Sequence, residues 1–140
     1  MRILFLGDIV GRTGRTAIRA RIGDLRRDWR LDFIIVNAEN ASAGMGLSAS
    51  NAKELLDAGI DCLTLGDHAF DQRDMFGFID SEPRVLRPMN FAKTAPGKGF
   101  RLFNAPGGRK VFVAQVLGQV FMKRAYDDPF SQVDAALKTA

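Results

Sequence analysis

The chain has 140 residues, of which 46% are hydrophobic and 26% charged, and its formal net charge at pH 7 is +4. This is the composition of a globular domain large enough to bury a core. A single cysteine, Cys62, excludes an internal disulfide, and no apolar stretch reaches the roughly 18 residues that span a bilayer. We therefore expect a soluble cytoplasmic protein with no membrane partner, in which Cys62 is a buried structural thiol.

Three strand, loop and helix units follow one another from the N-terminus. Short apolar runs predict strands at residues 3–6, 32–37 and 60–65, the first buried on both faces. Apolar side chains at helical spacing predict helices over residues 14–30 and 72–79. Ser48 is the expected N-cap of another helix, which Gly59 closes. Seven arginines lie between Arg12 and Arg30, and on a helix such a run favours a solvated outer face.

The character of the chain changes after Pro83. Prolines and glycines indicate a loop, and residues 100–103 and 110–117 then predict two strands joined by a hairpin-type turn. Residues 129–138 predict a last amphipathic helix. With no repeat or linker, the pattern predicts one α/β domain over residues 1–140, with a mainly parallel sheet and flanking helices.

Polar side chains suited to metal binding follow each of the first three predicted strands. Asp8 follows the first strand, Glu39 and Asn40 follow the second, and Asp67 and His68 follow the third. Right-handed crossovers place these three loops at one edge of the sheet, where open α/β sheets bind ligands. Carboxylate and amide oxygens suit magnesium, manganese and iron, and an imidazole shifts the preference toward iron, manganese or zinc. Two such ions can clamp a phosphoryl group.

Each of these residues also has an ordinary structural explanation. An Asp after a strand is commonly a turn former, and a lone histidine can be a satisfied core residue. The three placements together favour function. A phosphate-cradling loop is disfavoured, because Gly7, Gly11 and Gly14 do not fit G-x-G-x-x-G and no G-K-[ST] occurs. A receiver-type signalling domain is disfavoured too, because residues 111–118 offer no lysine.

A family resemblance then adds to this interpretation. Eight segments carry it in order: MRILFLGDIVG (1–11), NAENA (37–41), GMG (44–46), GDHAFD (66–71), RPMN (87–90), PGKG (96–99), VFM (120–122) and DDPF (127–130). The whole chain closely resembles the YmdB-like branch of the calcineurin-type metallophosphoesterases. The resemblance implies a four-layer α/β fold and a two-metal phosphodiesterase acting on 2′,3′-cyclic nucleotides.

The resemblance also implies roles for five residues. Asp8 and Asn40 resemble ligands of the first metal, Glu39 the carboxylate shared by both metals, and Asp67 a ligand of the second. His68 resembles the proton donor to the leaving oxygen, a role that suits a group titrating near neutral pH. The expected cofactors are two di- or trivalent ions, iron or manganese first and magnesium or zinc as alternatives. The expected partners are a small phosphodiester, a nucleotide or RNA, and a second copy of the chain.

Two departures from the family leave a second hypothesis open. The family normally has Asn at the position of Asp67, and its remaining metal ligands are histidines in a C-terminal half, whereas His68 is the one histidine of this chain. We therefore expect an incomplete metallophosphoesterase fold that lacks the C-terminal half. The alternative function is a non-catalytic or truncated domain that binds nucleotide, RNA or protein.

Overall fold

The computed structural model describes residues 1–122 and 124–139. It contains six strands and four α-helices, in the following order: β1 Ile3–Leu6, α1 Gly11–Asp28, β2 Phe33–Asn37, α2 Ala49–Asp57, β3 Cys62–Thr64, α3 Met75–Phe78, β4 Val85–Leu86, β5 Phe100–Ala105, β6 Arg109–Ala114 and α4 Pro129–Leu137. A 3₁₀ turn, Pro106–Gly108, joins the last two strands. Within the described residues no helix is both long and apolar enough to cross a membrane.

The main sheet is parallel and has the order β1-β2-β3-β4. Ile3 is in register with Phe33, and Ile35 with Cys62. Strands β5 and β6 form a separate antiparallel hairpin. The expected α/β class, a mainly parallel sheet with flanking helices, is confirmed. The carboxyl ends of the parallel strands therefore lie at one edge, and the loops that follow β1, β2 and β3 start there.

The two faces of the sheet belong to separate apolar clusters. One cluster joins Ile34, Val36 and Leu63 to buried residues of the helices, such as Leu55. On the other face, Phe33, Cys62 and Leu86 pack with hairpin residues Phe103, Val111 and Val113. Cys62 is buried, as predicted, and burial raises the pKa of its thiol to about 12.

The prediction that β1 is buried on both faces is wrong. Ile3 is 44% exposed and Phe5 58% exposed. Both residues are in register with β2 residues on the face of the sheet that the hairpin covers. The apolar contacts of the hairpin, however, are with β2, β3 and β4, and β1 is the edge strand beyond them. An apolar run predicts a strand well, but it does not show whether a second layer extends as far as the edge.

Several element boundaries also differ from the predictions. Helix α1 begins at Gly11 rather than residue 14, because the apolar spacing used for the prediction starts only at Ile18 and leaves the first turns undefined. Helix α3 is one turn, Met75–Phe78, rather than residues 72–79. Strand β4 lies where a loop was expected, since two residues are too few for a periodic pattern.

Most arginines of α1 are exposed, as predicted, but two of them are half-buried against neighbouring elements. Nε of Arg15 lies 3.2 Å from the carboxylate of Glu54 on α2, and Nη1 of Arg19 lies 2.6 Å from the other oxygen of the same carboxylate. Arg26 pairs with Asp61 just before β3. Half-buried Arg15 and Arg26 thus tie α1 to its neighbours, and only part of the arginine run forms the expected outer face.

Gly99 is the position where a single methyl group should damage the fold most directly. A Cβ there would lie 2.2 Å from the Cα of Met89, a backbone atom that cannot swing aside. We expect Gly99→Ala to lower the free energy of unfolding by about 3 kcal/mol, as overpacking does at its upper range. Urea denaturation measures the change. Gly118→Ala, whose Cβ would meet nothing within 4 Å, should stay within about 0.5 kcal/mol of the parent chain, and equal effects would contradict the steric argument.

Candidate active site

The loops after β1 and β2 run side by side and bring Asp8 and Asn40 together. The backbone N–H of Ile9 donates to the carbonyl of Asn37 at 3.1 Å, and that of Gly11 donates to the carbonyl of Asn40 at 2.9 Å. Asp8 has a φ of 32°, a conformation that non-glycine residues rarely adopt. Nδ2 of Asn40 donates to Oδ1 of Asp8 at 2.8 Å. The first two loops therefore form one continuous rim.

Glu39 and Asp67 form a second pair at the same edge. Glu39 is half-buried, and its Oε2 atom has no hydrogen-bond partner among the described residues. Burial raises the pKa of the Glu39 carboxyl, and the negative charge of Asp67 raises it further. Two carboxylates in mutual repulsion, one of them half-buried, are stabilised by a cation placed between them.

Glycine at position 66 makes room for the Glu39 carboxylate. A Cβ on Gly66 would lie 1.9 Å from Oε2 and 2.4 Å from Oε1 of Glu39, so a side chain there is sterically excluded. Gly66 thus leaves space for the carboxylate of Glu39, and the next residue, Asp67, supplies a second carboxylate. The unpartnered Oε2 and the surrounding oxygen donors fit a hard or borderline metal ion.

His68 is held by an acid three residues further along the chain. Its Nδ1 donates to Oδ2 of Asp71 at 2.6 Å. This hydrogen bond raises the pKa of His68, the neighbouring charges of Asp67, Asp71 and Glu39 act in the same direction, and desolvation opposes them. A histidine held this way stays protonated to a higher pH and is oriented for proton transfer.

The acidic edge opens into a cavity of about 360 Å³. Asp67, His68 and Asp71 line one part of it, and Phe121, Met122, Arg124 and Tyr126 line the rest. The ring of Tyr126 stacks on that of Phe91, with centroids 5.3 Å apart and planes 11° apart. Burial, followed by the charge of Asp67, raises the pKa of Tyr126. The cavity therefore has one acidic wall and one aromatic and basic wall.

The structure arranges the predicted metal ligands as two pairs, Asp8 with Asn40 and Glu39 with Asp67. In the part of the chain that it describes, no group of three or more His, Cys, Asp or Glu side chains is placed to hold a metal ion. Their roles as ligands thus stay predictions. Sequence reasoning gave no role to Asp71, although its position three residues after His68 was a usable signal. Nothing local pointed to Arg124 or Tyr126, which lie far along the chain.

These features define a class of protein: a parallel-sheet α/β chain with paired acids and a histidine at the carboxyl edge of the sheet. The comparisons identify the family within that class. The chain belongs to the family of YmdB-like proteins, whose model matches residues 4–140. The expected family resemblance is confirmed.

Three relatives illustrate the match. The 2′,3′-cyclic-nucleotide 2′-phosphodiesterase of Bacillus subtilis is 37% identical over 140 residues, which are 100% of this chain and 52% of that protein. A crystal structure of a hypothetical protein from Thermus thermophilus has a TM-score of 0.92 and 38% identity, covering 100% of this chain and 54% of the other. A novel phosphatase from Mycoplasma pneumoniae has a TM-score of 0.88 and 29% identity, covering 98% and 50%. The chain thus spans about half the length of these relatives.

Proposed function

We propose that the chain is part of a metal-dependent phosphodiesterase that hydrolyses 2′,3′-cyclic nucleotides, with residues 1–140 as the N-terminal part of one metallophosphoesterase domain. The observation that carries the proposal is the Glu39 carboxylate, half-buried without a partner for Oε2 and beside the like charge of Asp67. Such an arrangement is costly unless a cation binds there or the two carboxyl groups share a proton, and the oxygen donors around it suit the cation. The name of the Bacillus subtilis relative supports the choice of substrate.

Four side chains supply the donors for two ions. Asp8 and Asn40 would hold the first, Asp67 the second, and Glu39 would contact both. Iron and manganese suit this mixture of carboxylate and amide oxygens, with magnesium and zinc as alternatives. When bound, the ions supply positive charge that stabilises the negative charge developing on the phosphate.

His68 is suited to transfer the proton that the reaction requires. Hydrolysis of a cyclic phosphodiester releases a ribose oxygen, which must gain a proton as its bond to phosphorus breaks. His68 lines the cavity beside Asp67, and Asp71 both orients its ring and raises its pKa, which favours the protonated form that donates. We propose that His68 donates this proton.

The test is manganese-dependent hydrolysis of an aryl phosphodiester and of adenosine 2′,3′-cyclic monophosphate. We expect a metal-dependent rate that Asp8→Ala lowers at least about 100-fold, because the variant loses a metal ligand and the acceptor for Asn40. Asp134→Ala, an exposed acid on α4, is the matched control and should keep the parent rate.

The second candidate is a metallophosphoesterase-like domain that binds nucleotide, RNA or protein without catalysis. The arrangement of ligands as two pairs, with no larger acid or histidine group in residues 1–122 and 124–139, favours it. A rate that manganese does not raise and that Asp8→Ala does not change would select this alternative and reject the enzyme.

A further inference from the structure

Besides Asp67, His68 and Asp71, the cavity is lined by residues of one loop, which the structure describes over residues 117–122 and 124–127. We propose that this loop is the nucleoside-binding element of the site: Phe121 stacks on the base of the substrate and Arg124 pairs with its phosphate. The inference rests on the proposed function, since it places a nucleoside phosphodiester in the cavity lined by Asp67 and His68. It adds the residues that would distinguish a nucleotide from other phosphate esters.

The loop is clamped at both ends by one buried side chain. Nδ2 of Asn90 donates to the carbonyl of Leu117 at 2.8 Å and to that of Asp127 at 3.0 Å, and its Oδ1 accepts from the N–H of Leu117 at 2.9 Å. Asn90 itself is 0% exposed. A loop with close, fixed ends presents its tip in a defined place, which is how many binding loops are built.

Phe121 is the most exposed large apolar residue of this loop. Its side chain is 101% exposed although it lines the cavity, and its φ of 62° lies in the left-handed region. A non-glycine residue in this region is strained, and such residues concentrate at functional sites. A fully exposed flat ring beside the proposed catalytic site is suited to stacking on a nucleobase, whose two faces are apolar.

Arg124 supplies the positive charge on this wall. It lines the cavity together with Asp67 and Asp71, and within the described residues it forms no salt bridge. A guanidinium with no internal partner can form bidentate hydrogen bonds with phosphate oxygens. Tyr126, stacked on Phe91, fixes the far end of the same wall. Phe121 and Arg124 thus line the same cavity and provide an aromatic ring and a cation, the two groups that a ligand with a base and a phosphate requires.

Equilibrium binding to the full chain tests the proposal without turnover. The probes are adenosine 3′-monophosphate and its base-free counterpart, 1-O-methylribose 3-phosphate, titrated by calorimetry in manganese buffer. We expect Phe121→Ala to weaken binding of the nucleotide about 10-fold and to leave the base-free probe unchanged, while Phe121→Trp retains nucleotide binding. Arg124→Gln should weaken both probes about 10-fold. Phe130→Ala and Arg21→Gln alter exposed residues outside the cavity and should change neither.

The outcomes separate this inference from the proposed function. Three results would each overturn the stacking role. Phe121→Ala could affect the two probes equally, it could affect neither probe, or the parent chain could bind both probes with equal affinity. If the parent chain hydrolyses the cyclic nucleotide but Phe121→Ala keeps its KM, the inference is rejected and the function stands. If the parent chain hydrolyses nothing yet shows the expected binding pattern, the nucleoside site stands and the catalytic proposal fails.

Discussion

Gly66→Ala is expected to weaken the proposed metal binding strongly, because the added methyl group and the Glu39 carboxylate would occupy the same space. The Cβ would lie 2.3 Å from Cδ of Glu39 as well as 1.9 Å from Oε2. The carboxylate must therefore leave the position in which it lies beside Asp67. Mutation of a residue that only supports a metal ligand typically lowers metal affinity about 10–100-fold. Displacing the ligand itself should do at least as much damage, so we expect the affinity for manganese to fall at least about 100-fold. Calorimetric titration with manganese measures the loss.

Gly23→Ala is the matched control for this substitution. Gly23 lies inside α1, and a Cβ there would meet nothing within 4 Å. Alanine favours a helix interior over glycine, so this variant should gain about 0.5–1 kcal/mol in the free energy of unfolding and bind manganese like the parent. If Gly66→Ala bound manganese with parental affinity, Glu39 could not be a ligand from the position described here.

The sequence was sufficient to place the rim of the candidate site because parallel-sheet topology is local in origin. Each strand, loop and helix unit is encoded by a short stretch, and the crossover rule then brings Asp8, Asn40 and Asp67 to one edge. The start of α2 was predictable for the same reason. Ser48 accepts a hydrogen bond from the N–H of Asn51 at 3.3 Å, as an N-cap does.

Features that depend on distant segments could not be predicted in this way. The exposure of Phe5 depends on how far the β5–β6 hairpin extends across the sheet, and no residue of β1 encodes that. The clamp by Asn90 joins positions 27 and 37 residues away, so no periodic pattern reveals it. The pairing of His68 with Asp71 is local, but three-residue spacing is common in turns and carries chemical meaning only once His68 is seen to line the cavity.

Glu39→Gln is expected to change the stability of the chain in opposite directions with and without metal. The pKa of Glu39 is raised in the folded chain above its ordinary value of 4.5. Its contribution to stability is therefore fully present below about pH 4.5 and is lost as the pH rises through the folded pKa. At pH 7 without metal, the isosteric amide removes the uncompensated charge and can donate to Asp67. We expect Glu39→Gln to gain about 1 kcal/mol, or roughly 4 °C in Tm.

Manganese should reverse this order, because only the carboxylate attracts the cation strongly. At 100 times the Kd, a ligand stabilises the folded parent by about 2.7 kcal/mol, whereas the amide variant gains little. Thermal unfolding from pH 4 to 8, in EDTA and in manganese, measures both effects. Glu82→Gln is a control for which we expect the opposite sign. Arg84 lowers the pKa of Glu82, so the Glu82 carboxylate stabilises the fold at neutral pH. Its loss should lower the free energy of unfolding by up to about 1 kcal/mol, with or without manganese. A Glu39→Gln chain that is less stable than the parent in EDTA would show that Glu39 serves the fold rather than a cation.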